Sequence, residues 1–170
     1  MKKLYVASRL IIALALIAIT SLFVMQSAIA EEDDDEDGGV KLAVDLKAAG
    51  DQAKQRNIPL MIFFAAEDCE FCERLEGDYL YAMSISGEYK KRVLIRKVVI
   101  DSYDMFRDFN GKVVEASDFS DDYNIQVTPT LVFTDHRGNR LSRRIIGYNA
   151  SGFFGAELDE AINMAIKHVR

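Results

Sequence analysis

From Ile58 to Ala65 the chain reads I-P-L-M-I-F-F-A, an apolar run with no charge and no polar–apolar alternation. A strand apolar on both faces belongs at the centre of a sheet covered on both sides. The pattern around it is helical. Leu42, Leu46 and Ala49 repeat at three- and four-residue spacing and predict a helix over 40–56, weakened at Gly50. Leu75, Tyr79 and Met83 are four apart and predict a helix over 69–83. Residues 93–100 are rich in β-branched side chains and predict a second strand. Residues 102–124 are mixed, with a break at Gly111 and a short helix near 115–123. Residues 130–134 and 141–148 read as two strands joined by D-H-R-G-N, where Gly138 and Asn139 suit positive φ. Phe154, Leu158, Ile162, Ile166 and Val169 share one face of a last, amphipathic helix, with Ser151 as its expected N-cap. No internal repeat is present. Helix, strand, helix, strand, helix, hairpin and helix in that order predict an α/β fold, a mixed sheet between layers of helices.

The ends change the picture of where this domain works. Lys2, Lys3 and Arg9 precede an apolar run from Leu10 to Met25, and Ala28-Ile29-Ala30 follows. These are the parts of a secretory signal peptide, with cleavage expected after Ala30. The alternative is an uncleaved anchor, since residues 10–30 are long enough to span a bilayer. Both place the remainder outside the cytoplasm, periplasmic or secreted. Residues 31–39, EEDDDEDGG, read as a solvated, disordered linker, and 40–170 as one domain. Beyond residue 30 the chain carries 27 acidic against 18 basic residues, a formal charge of −9. Such a surface repels nucleic acid and anionic lipid, so neither is expected as a partner.

The chemistry is concentrated in Cys69-Glu70-Phe71-Cys72, which holds the only two cysteines. Two thiols three residues apart can close a disulfide with little backbone movement. A helix beginning at Cys69 would set its sulfur among unsatisfied N–H groups that favour the thiolate, with Cys72 one turn further in. That makes one attacking and one resolving thiol. Zinc would need two further ligands, and the two histidines, His136 and His168, read as exposed polar residues in a hairpin loop and near the C-terminus. No metal or organic cofactor is expected. One of only two prolines, Pro129, sits in Val127-Thr128-Pro129-Thr130 immediately before a strand, a position where strands accept proline.

A strand, then C-x-x-C opening a helix, then a distant Thr-Pro-Thr leading a hairpin with Gly147 in its last strand, resembles the thioredoxin family over residues 57–170. The export signal and the FFAAEDCEFC context are similar to periplasmic thioredoxin-like proteins of the SoxW type. The resemblance implies a thioredoxin-like fold, a cis peptide bond at Pro129 packed beside the disulfide, and a substrate strand pairing with the backbone of Thr128. It also implies a monomer acting on protein thiols and disulfides, with a membrane electron donor. Two positions depart from the family. Its buried acid six residues before the first cysteine is replaced by Phe63, which leaves Glu67 as the candidate proton relay, and the usual tryptophan before that cysteine is Asp68.

The implied reaction is thiol–disulfide exchange: Cys69 attacks a substrate disulfide and Cys72 resolves the mixed disulfide. Glu67, Asp68, Glu70 and Glu73 surround Cys69, with only Arg74 opposing. A carboxylate about 7 Å from a thiolate destabilises it by roughly 0.5–1 kcal/mol. The acids therefore favour a reductase over an oxidant. A binding or chaperone-like module with little turnover, a disulfide isomerase, and a carrier of reductant to one dedicated client are the alternatives.

Overall fold

In the computed structural model, residues 39–150 and 152–169 are described. The expected signal segment, most of the acidic linker and the Ser151 cap lie outside them. A four-stranded mixed sheet forms the centre, in the order β2-β1-β5-β6, from Leu60–Ala65 (β1), Leu94–Val99 (β2), Thr130–Thr134 (β5) and Ile145–Ile146 (β6). β1 runs parallel to β2 and antiparallel to β5, and β6 is antiparallel to β5. Every residue of β1 is buried.

The two faces of β1 build two separate cores. Met61, Phe63 and Ala65 point to one side, with Leu131 and Phe133 of β5 and with Cys72, Leu75, Leu80 and Met83. The C-terminal helix α5 (Phe154–Val169) closes that side through Phe154, Leu158, Ala161, Ile162 and Ala165. Leu60, Ile62 and Phe64 point the other way, against Leu46, Ala49 and Ala53 of helix α1 (Leu46–Arg56). Helix α4 (Ala116–Asp122) completes that layer through Ala116 and Phe119, the latter stacked on Phe64. The unbroken apolar run is thus the period-2 signal of two buried faces superimposed.

Several elements differ from the sequence expectation. Helix α1 begins at Leu46, because Asp45 caps it by accepting a hydrogen bond from the Ala48 N–H at 2.7 Å. Residues 41–43 instead run along the outer edge of β2, with Ala43 N–H on the Lys97 carbonyl and Lys97 N–H on that of Lys41. Within 102–124 a small hairpin forms, β3 (Met105–Arg107) against β4 (Val113–Glu115), too short to show a period. The strand expected over 141–148 shrinks to Ile145–Ile146. In the turn before it, Gly138 has φ +87°, whereas Asn139 is not in the left-handed region and bonds Asp135 through its N–H and its side chain.

The helix after the cysteines is continuous but not uniform. Helix α2 (Glu70–Leu75) passes through a π-helical turn (Glu76–Leu80) into α3 (Tyr81–Ile85). The Tyr81 N–H reaches back five residues to the Glu76 carbonyl. That extra residue shifts the buried stripe from the expected Leu75, Tyr79, Met83 to Leu75, Leu80, Met83, and leaves Tyr79 half-buried. Tyr79 then packs edge-on against Tyr148 and tilts against Phe154, while the Tyr148 hydroxyl donates to Asp78. That hydrogen bond to a carboxylate, with burial and the charge of Asp78, pushes the Tyr148 phenol up to about 12.

Gly50 is not a weak point in α1 but a close approach. A Cβ there would lie 2.5 Å from the His136 carbonyl oxygen in the β5–β6 turn. Gly50→Ala would gain about 1 kcal/mol of helix propensity. It should still lower stability, since overpacking against backbone costs about 1–3 kcal/mol. Urea denaturation checks this: a fall in the midpoint is expected, and a rise would show that the turn moves away freely.

Candidate active site

β1 ends at Ala65, and the Ala65 carbonyl accepts the Ile100 N–H at 2.8 Å. The chain then turns through Ala66–Asp68, where the Glu67 N–H donates to Asp101 Oδ1 at 3.0 Å. Two ties to the end of β2 therefore hold the loop that delivers Cys69. Cys69 is the N-cap of α2, in extended conformation. Its carbonyl accepts the N–H groups of Cys72 and Glu73, and its sulfur accepts the Cys72 N–H at 3.2 Å. A sulfur standing where a cap oxygen usually stands receives one of the helix's orphan N–H donors, which favours negative charge there.

Cys69 and Cys72 are joined by a disulfide, with Cα atoms 5.2 Å apart. The sulfurs are not equivalent. Cys69 is half-buried, whereas Cys72 is 3 % exposed and belongs to the core beneath the sheet. One partner is within reach of an external molecule and the other is not.

Across from the disulfide lies the start of β5. The Thr128–Pro129 bond is cis, Pro129 is buried and Thr128 half-buried. The Thr128 hydroxyl lies 3.5 Å from Cys69 Sγ, joining residues 59 apart in sequence. Two further bonds hold this corner. The Thr130 hydroxyl donates to the Val127 carbonyl at 2.6 Å, and the Gly147 N–H donates to the Pro129 carbonyl at 2.7 Å. The structure thus brings together Cys69, Cys72 and Thr128-Pro129.

Glu67 is placed differently. Its side chain is exposed on the loop, and its contact with Asp101 is through the main chain. Asp68, Glu70 and Glu73 are likewise exposed, forming an acidic collar. Phe63, at the position six before Cys69, is fully buried and pairs in register with Lys97 of β2. The Lys97 ammonium lies 5.7 Å from the Phe63 ring centre and 2.6 Å from Glu76 Oε2. Glu76 Oε1 accepts the Val40 N–H at 2.7 Å. Sequence reasoning passed over this ion pair. The available signal was the i, i+4 step from Cys72 to Glu76, on the same helix face.

The histidines stand outside this site: His136 is half-buried in the β5–β6 turn, and His168 is exposed in the last turn of α5. Among the described residues, no cluster of three or more His, Cys, Asp or Glu side chains is placed to hold a metal ion.

The family model described as thioredoxin-like domain matches residues 46–162. No curated protein matches the chain. Among solved structures, a poplar thioredoxin h mutant is 18% identical, with 75% of this chain and 84% of that chain covered and a TM-score of 0.52. Mitochondrial thioredoxin 3 from Saccharomyces cerevisiae, in its oxidised form, is 21% identical, with 73% and 93% covered and a TM-score of 0.49. A thioredoxin-fold protein from Helicobacter pylori is 22% identical, with 66% and 82% covered and a TM-score of 0.46. At these identities the likeness is one of fold. With its C-x-x-C disulfide at the mouth of α2 and a family match over more than half its length, the chain belongs to the thioredoxin-like family.

Proposed function

We propose that the protein is an extracytoplasmic thiol–disulfide oxidoreductase that reduces protein disulfides. The observation that carries this reading is the asymmetry of the pair: a reachable Cys69 sulfur at a helix N-terminus, bonded to a buried Cys72 and facing Thr128. In the reduced protein Cys69 attacks a substrate sulfur and forms a mixed disulfide. Cys72 then attacks Cys69, closing the intramolecular disulfide and releasing the substrate as a dithiol. A membrane electron donor returns the pair to the dithiol form.

Substrate would dock beside Thr128 and Pro129 as an extended segment, its main chain meeting that of Thr128. Apolar side chains are left open next to the reactive groups: Phe71 within the motif and Val127 before Thr128 are each 51% exposed. Such uncovered apolar surface suits a polypeptide substrate. The export-type leader and the SoxW-like context support a periplasmic or secreted location.

The acidic collar supports the reducing direction. Glu67, Asp68, Glu70 and Glu73 are all exposed, so each acts through solvent and is screened, but all four oppose a thiolate on Cys69. Destabilising that thiolate destabilises the reduced form and lowers the potential. Equilibration against a glutathione or dithiothreitol series should place the couple nearer the thioredoxin value of about −270 mV than the strongly oxidising value of about −120 mV. A value at the oxidising end would reverse the direction.

Cys72→Ser should accumulate covalent adducts with protein substrates, visible as reductant-sensitive bands on non-reducing gels, while Cys69→Ala should form none. If Cys72→Ser traps nothing, and Cys69→Ala still suppresses aggregation of an unfolded protein, the cysteines are not the working groups and the fold serves as a binding module.

A further inference from the structure

We infer that Glu76, held in place by Lys97, accepts the proton that Cys72 must lose before it resolves the mixed disulfide. This rests on the thiol–disulfide reading above. Cys72 is 3 % exposed, so its thiol has little direct access to bulk water. A buried thiol attacks only as the thiolate, and its proton needs a local acceptor.

Glu76 is one helical turn after Cys72, and its N–H donates to the Cys72 carbonyl, so the i, i+4 geometry holds there. Side chains on a helix lean toward its N-terminus, which carries the Glu76 carboxylate back toward Cys72. The carboxylate is 15% exposed and its position is set from two sides: Oε1 on the Val40 N–H at 2.7 Å and Oε2 on Lys97 Nζ at 2.6 Å. Two-point anchoring leaves each oxygen a further lone pair for a proton. Val40, Phe63 and Cys72 belong to one packed cluster, with the Lys97 ammonium over the Phe63 ring, so Glu76 and Cys72 share one side of the sheet. Glu76 also opens the π-helical turn, a distortion that recurs at functional sites.

Among the described residues, charged groups reach the surroundings of Glu76 from β2, from the segment before α1 and from its own helix. Lys97 comes from β2, Lys41 lies next to Val40, and Glu73 and Arg74 lie on its own helix, both exposed. β1 contributes only the Phe63 ring.

In the resolving step the Cys72 S–H proton passes to the Glu76 carboxylate. The Cys72 thiolate forms a bond to Cys69 Sγ, the bond between Cys69 and the substrate sulfur breaks, and the substrate leaves as a thiolate. The protein dithiol is oxidised by two electrons and the substrate disulfide is reduced by two. The proton on Glu76 then goes to the departing thiolate or to water. Lys97 is a positioning residue.

The two steps can be timed separately. Reduced full-length protein is mixed with a thionitrobenzoate disulfide, and stopped-flow absorbance reads capture by Cys69 and then release as Cys72 closes the pair. Glu76→Gln, which can still accept the Val40 N–H, should slow release at least about tenfold at neutral pH, with the deficit shrinking as pH rises. Capture, measured with Cys72→Ser also present, should stay within about twofold. Should Glu76→Gln fail to fold, Glu76→Asp must show a smaller loss of the same sign. Release within about twofold of the parent in Glu76→Gln overturns the proposal, as does Glu67→Gln producing the same pH-dependent slow release. A parent chain that forms no mixed disulfide overturns the redox reading and this proposal together.

Discussion

Strand β1 is buried along its whole length because each of its faces is covered by a different layer of helices, and the site is positioned by that constraint. A strand paired on both sides, parallel to β2 and antiparallel to β5, cannot slip by one residue without exchanging its two cores. Its C-terminal end is therefore a fixed point. The three residues that follow carry the chain to Cys69, and Thr128 and Pro129 lead into the neighbouring strand β5 beside the same point. The 3.5 Å approach of the Thr128 hydroxyl to Cys69 Sγ is thus a consequence of register in the sheet, set by apolar packing well below the reacting atoms.

Much of this was legible in the residues. The uninterrupted I-P-L-M-I-F-F-A run identified the central strand, and cysteines three apart after a strand, with a distant Thr-Pro-Thr, identified the facing elements. What was not legible depends on contacts between segments far apart in sequence. Residues 41–43 pair with the edge of β2 although their spacing is helical, because edge pairing satisfies backbone groups and carries no periodic signature. The π-helical turn displaced Tyr79 by one position from the expected stripe, which a 3.6-residue period cannot anticipate. Gly50 looked like a helix defect and is instead where the β5–β6 turn touches α1.

The acids follow the same division. The exposed collar of Glu67, Asp68, Glu70 and Glu73 is contiguous with the motif and could be counted from the sequence. The Glu76–Lys97 pair links the helix to β2 across 21 positions, and Phe63 in register with Lys97 is visible only once the strands are paired. Charge near the cysteines is therefore of two kinds. Exposed carboxylates act on Cys69 through screened solvent, and one anchored carboxylate shares the face of the sheet on which Cys72 is buried.

The two sulfurs form one couple with unequal access, Cys69 outward and Cys72 inward. Alkylation of the freshly reduced protein, followed by mass spectrometry of the motif peptide, measures that inequality directly. Cys69 should react at least about tenfold faster than Cys72 in the folded protein, and the difference should vanish in denaturant. Equal rates in the folded state, or faster labelling of Cys72, would contradict that inequality.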